Sequence, residues 1–158
     1  YIDHNKTLEK IEGFNDLTSL VLLKIAFNNV LRDFSGISQL SNIDSFTIAD
    51  CPLVQNLSWL SNLNSIKNHL AIAECHGLRN IDELINLHTM DGRGPNLFIS
   101  QNNSLENIGG LQNLNATIAK LRIYENPALI SINGLRNINV SKQFSIRKNE
   151  LLQNLNGL

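Results

Sequence analysis

Apolar residues recur along this chain at intervals of three, then of two, and the cycle repeats. Anchored at Asn5, Asn28, Cys51, Cys75, Asn102, Asn126 and Asn149, successive units are 23, 23, 24, 27, 24 and 23 residues long. Three residues after each anchor stands Leu8, Leu31, Val54, Leu78, Leu105, Leu129 or Leu152. Three further on come Ile11, Phe34, Leu57, Ile81, Ile108, Ile132 and Leu155, then Phe14, Ile37, Leu60, Leu84, Leu111, Leu135 and Leu158. Leu17, Leu40, Leu63, Leu87, Leu114 and Ile138 complete the run, and the stretch 102–126 is its cleanest copy. A fixed period of this length predicts a repeat architecture, with residues 1–158 as one repeat domain.

Before each following anchor the spacing changes to two: Leu23/Ile25, Phe46/Ile48, Leu70/Ile72, Leu97/Ile99, Leu121/Ile123 and Phe144/Ile146. Alternation predicts a strand with one buried face. One such strand per unit, stacked on its equivalents, predicts a main parallel sheet along one side of a β-solenoid. The spacing of three suits an irregular flat side or a short second strand better than a long helix, and glycine recurs inside it at Gly13, Gly36, Gly110, Gly134 and Gly157. Glycine at this corner is expected to serve either a positive φ or a close approach between units. Trp59 and Glu83 hold the same position in two units, so the requirement is not absolute.

The anchor asparagine has a separate explanation. Where a strand turns inward, backbone donors and acceptors are left inside, and a buried amide satisfies both kinds. Stranding one such group by an alanine substitution costs on the order of 1–3 kcal/mol.

These residues resemble leucine-rich-repeat-like solenoids, and most closely the receptor L domain, a right-handed β-helix of surface receptors. The matching stretch is Asn126-Pro127-Ala128-Leu129 with Ile132, Gly134-Leu135 and the strand Leu121-Arg122-Ile123. The resemblance implies a secreted or cell-surface location and a non-catalytic role. The chain departs from receptor examples in having no disulfide-bonded caps, which favours a microbial or other surface protein over a receptor. It opens and stops part-way through a unit, so a longer polypeptide is expected.

Composition narrows the chemistry. Net charge is −1, which gives no overall drive toward nucleic acid or an anionic membrane, and no apolar run is long enough to cross a bilayer. Neither end has the form of a signal peptide. Cys51 and Cys75 share the anchor position in adjacent units. Stacked strands about 4.8 Å apart bring them within disulfide range. In-register side chains point the same way, however, and two free thiols replacing asparagine is the preferred reading. His4, His69, His76 and His88 show no zinc spacing, so no metal or other cofactor is expected. No nucleophile motif or phosphate loop occurs, and Asp82-Glu83 reads as a solvated corner rather than an acid–base pair; an enzyme is not expected. Sequons occur at Asn5, Asn56, Asn102, Asn115 and Asn139. Asn5 and Asn102 are anchors expected to be buried, leaving Asn56, Asn115 and Asn139 open to modification.

The sheet's outward face is the best candidate surface. Its central row reads Lys24, Thr47, Ala71, Phe98, Arg122, Ser145, flanked by Leu22, Ser45, His69, Asn96, Lys120, Gln143 and by Ala26, Ala49, Ala73, Ser100, Tyr124, Arg147. None is acidic. Small residues fill the middle, while Phe98, Lys120, Arg122, Tyr124 and Arg147 make an aromatic-basic end. Asp91-Gly92-Arg93-Gly94-Pro95 lies in the only 27-residue unit; it reads either as a binding loop at the rim, through Asp91 and Arg93, or as a tolerated insertion. The expected function is recognition of a protein or an acidic glycan at this face, with Phe98 and Tyr124 supplying contact area and the cations supplying orientation. The alternative is a structural spacer with no ligand of its own.

Overall fold

The computed structural model describes residues 1–158. Its strands are β1 (Ile2–Asp3), β2 (Ser19–Ala26), β3 (Asn42–Ala49), β4 (Ser65–Ala73), β5 (Asn96–Ser100), β6 (Ala116–Tyr124) and β7 (Ile138–Arg147). They form one sheet in sequence order, every neighbouring pair parallel. The arrangement is compatible with a parallel β-solenoid. There is no α-helix; the return paths carry single 3₁₀ turns at Ser35–Ile37, Ser58–Leu60, Asp82–Asn86, Gly109–Leu111 and Asn133–Leu135.

The strands begin earlier than alternation alone indicated. Ile43, Ile66 and Ile118 add a further buried inward position before the expected pair. The stretches are joined by register shifts, between Ile43 and Ser45 opposite β4 and between Ile118 and Lys120 opposite β7. A bulge there absorbs one residue, so unit length varies while the buried face stays buried. The inward rows form one apolar cluster running from Ile11 to Leu135.

Two recurrent turns shape each unit. The first is a left-handed residue just before every anchor: His4, Phe27, Asp50, Glu74, Gln101, Glu125 and Lys148, with φ between 48 and 57°. None is glycine, and six of the seven donate a backbone N–H to the last carbonyl of the next strand, as Glu125 does to Arg147 at 3.2 Å. The second is a side-chain turn at the start of the return path. The side-chain oxygens of Asp33, Asn56, Asn80, Asn107 and Ser131 each accept from the N–H two residues on, which starts the 3₁₀ turn that follows.

The corner glycines resolve to close approach. A Cβ on Gly110, Gly134 or Gly157 would collide with the carbonyl of Ile81, Ile108 or Ile132 in the preceding unit, whereas positive φ occurs among them only at Gly13.

The anchors form the expected ladder. Asn126 Oδ1 accepts from the Asn102 N–H (3.1 Å), and its Nδ2 donates to the carbonyls of Ile99 (3.1 Å) and Tyr124 (3.2 Å). Asn102 and Asn28 act alike. Cys51 and Cys75 are free, buried thiols. The Cys51 thiol donates to the Ala49 carbonyl at 3.4 Å, so sulfur takes over the donor role that Asn28 Nδ2 plays toward the Ala26 carbonyl. Two expectations of burial fail in the first and last units. Asn5 is exposed, and Phe14, Phe144, Leu155 and Leu158 are 46–56% exposed, because no further unit within residues 1–158 packs on their outer side.

Candidate functional site

The register of β2 to β7 places Lys24, Thr47, Ala71, Phe98, Arg122 and Ser145 in one outward row, with the two flanking rows as expected. The alternation that buries Leu121 and Ile123 necessarily points Lys120, Arg122 and Tyr124 outward. Phe98, Lys120, Arg122, Tyr124 and Arg147 therefore share one face of three adjacent strands.

Their contacts give the rings a different part from the one expected. The Arg122 guanidinium lies 5.3 Å from the Phe98 ring centroid, and His69 meets the same ring edge-on at 5.3 Å. Arg147 lies 5.2 Å from the Tyr124 centroid. Phe98 and Tyr124 are half-buried supports for arginines rather than free contact surfaces. Arg122 Nη2 also donates to Gln143 Oε1 at 2.8 Å. Between the arginines is a hollow of about 240 Å³ lined by Arg122, Tyr124, Gln143, Ser145 and Arg147. Gln143 and Ser145 escaped the selection of site residues from sequence; the row alignment held the signal, since Ser145 lies opposite Arg122.

The electrostatics are one-sided. Lys120, Arg122 and Arg147 take part in no ion pair, while Glu125, the acid next to Tyr124, is held by Lys148 at 2.6 Å. Burial holds the His69 imidazole below its ordinary pKa of 6.5, so this neighbour of Phe98 is neutral at neutral pH.

Asp91 and Arg93 are exposed and do not join this group. Their segment precedes β5, at the end of the strands opposite Tyr124 and Arg147, and bridges adjacent units. Gly92 N donates to the Lys67 carbonyl (2.8 Å), and Ala119 N to that of Pro95 (2.7 Å).

A second hollow, of about 520 Å³, lies between the turns Ser35–Ile37 and Ser58–Leu60. Trp59, in a corner-glycine position, stacks on Phe34 with centroids 4.7 Å apart and meets Phe46 edge-on at 5.6 Å. Its buried indole N–H has no acceptor. Sequence alignment showed the substitution but not the aromatic cluster it builds. No group of three or more His, Cys, Asp or Glu side chains is arranged to hold a metal ion, and no helix is long and apolar enough to cross a membrane. Compared with known proteins, the chain matches no family model, no curated protein and no solved structure.

Proposed function

We propose that this chain is a right-handed, leucine-rich-repeat-like solenoid of receptor L domain type, acting as a non-catalytic recognition module of a secreted or cell-surface protein. Its ligand, a protein or an acidic glycan, meets the outward face of the sheet. The observation that carries this reading is the outward face of β5 to β7, strands that contain no acidic residue, on which Lys120, Arg122 and Arg147 cluster without a carboxylate partner. Unpaired cations on a rigid sheet raise the encounter rate with an anionic partner and fix its orientation.

A screen of glycans and protein ligands against the parent, Phe98→Ala and Arg122→Ala tests it. Phe98→Ala removes the platform beneath Arg122, and Arg122→Ala removes the charge. Each is expected to weaken a true ligand by at least about tenfold. If both variants bind every hit as the parent does, the sheet face is not the site. A structural spacer is the second reading; the small, neutral middle of the face (Thr47, Ala49, Ala71, Ala73) favours it, and it predicts a screen with no hits.

A further inference from the structure

We propose that Arg122 and Arg147 form a site for one oxyanion, the sulfate ester or uronate carboxylate of an acidic saccharide. This rests on the reading of the sheet face as a recognition surface and specifies what that surface takes.

The hollow between the arginines, at about 240 Å³, is smaller than pockets that enclose whole drug-sized ligands, and no acidic residue lines it. Arg122 uses Nη2 on Gln143, and its remaining N–H donors are free. Arg147 makes no side-chain hydrogen bond, nor does the Ser145 hydroxyl opposite Arg122. A guanidinium presents five donors in a planar fork that matches the oxygens of carboxylate and sulfate. On the sheet the two arginines are diagonal neighbours, since Arg122 pairs with Ser145 and Arg147 with Tyr124. Diagonal Cβ atoms lie roughly 7–8 Å apart or slightly less, within reach of two long side chains converging on one group. Stacking on Phe98 and Tyr124 holds both forks in place before a ligand arrives, which lowers the ordering cost of binding. Glu125, three residues from Arg122, is engaged by Lys148 at 2.6 Å, and Glu150, three residues beyond Arg147, lies outside β7 and does not line the hollow.

A saccharide fits this face better than an acidic peptide. Protein interfaces centre on desolvated apolar or aromatic anchors. Here each ring already carries an arginine, and the neighbouring outward positions on β4 and β5 are small or polar: Ala71, Ala73, Asn96 and Ser100.

The test is calorimetric titration of the 158-residue chain at low ionic strength with four probes. These are a sulfated disaccharide, the same disaccharide desulfated, an unsulfated uronate disaccharide and a glutamate-rich peptide. The expected result is one-to-one binding of the sulfated or the uronate probe, their difference identifying the oxyanion, with no binding of the neutral one. Arg147→Ala and Arg122→Ala each weaken it at least tenfold. Arg147→Lys recovers less than half of that loss on a logarithmic scale, because it keeps the charge and loses the fork. Both side chains are outside the core, so unchanged melting temperatures confirm that folding is intact. Equal binding of the neutral probe, binding indifferent to both arginines, or full rescue by lysine overturns the proposal. Preference for the peptide overturns it too, but leaves the sheet-face reading standing if Arg122→Ala still abolishes that binding. If no ligand of any kind depends on Phe98 or Arg122, both readings fall.

Discussion

Gly109 and Gly110 are adjacent in the chain and have opposite tolerance for a methyl group. A Cβ on Gly110 would run into the carbonyl of Ile81 and the backbone of Asp82 in the preceding unit, whereas one on Gly109 meets nothing nearer than Asn107 Oδ1 at 3.2 Å. Gly110→Ala should therefore destabilise by about 1–3 kcal/mol through overpacking. Gly109→Ala should stay within about 0.5 kcal/mol of the parent, since Gly109 does not need a positive φ and alanine narrows the unfolded ensemble. Denaturant midpoints of the two variants check this; equal losses would mean that close approach is not what selects glycine here. At this scale the sequence showed where glycine recurs but left two causes open, because a sequence position reveals neither φ nor the distance to a neighbouring unit. Two further uses of asparagine were illegible for a related reason. Asn56, Asn80 and Asn107 initiate turns, and Asn62, Asn86 and Asn113 donate to carbonyls of the preceding unit. Asp, Ser or Gln stand at equivalent positions, and the exchange of these residues blurs the periodicity.

Between residues and molecule lies the pairing of β4, β5 and β6, where the middle of the candidate site is built. His69 on β4 meets Phe98 on β5, which supports Arg122 on β6. Because burial lowers the His69 pKa from 6.5, the unfolded chain takes up a proton in a range where the folded chain does not. Stability from the neutral imidazole is thus complete above pH 6.5 and is lost as pH falls below that value toward the lower folded pKa. His69→Gln removes this dependence while keeping a polar side chain. Urea midpoints measured from pH 7.5 to 5.5 should fall more steeply for the parent than for the variant; parallel slopes would show that His69 does not titrate on unfolding. The rows that place these three residues were readable from alternation alone, since a parallel sheet with one residue per position fixes which side chains adjoin. That the arginines lie over the rings was not readable. Rotamers depend on competing contacts, here the Gln143 amide and the absence of a nearby acid, and the period-two pattern is silent about both.

Along the whole chain the same inward position has different surroundings according to where its unit sits. Leu60, Leu84 and Leu111 are 0% exposed, while their equivalents Phe14 and Leu158 are 54% and 56% exposed. Strand pairing follows the same gradient: β1 has two residues, whereas β3, β4 and β6 have eight or nine and are paired on both sides. When each repeat touches only its neighbours, stability is close to a sum of unit and interface terms, and units with one interface open first. Amide hydrogen exchange should therefore be slowest in β3 to β6 and fastest in β1 and residues 149–158, with β7 intermediate because it pairs on one side only. Phe98 and Arg122 lie in the slow region and Arg147 at its border, so the proposed oxyanion site would have one rigid arm and one adjustable arm. A ligand bridging the two arginines should then slow exchange in β7 more than in β5. Peptide-resolved exchange with and without the sulfated disaccharide measures both effects. Uniform protection along the free chain would show a single cooperative unit in place of a gradient. Ligand protection confined to β5 would mean that Arg147 is not engaged.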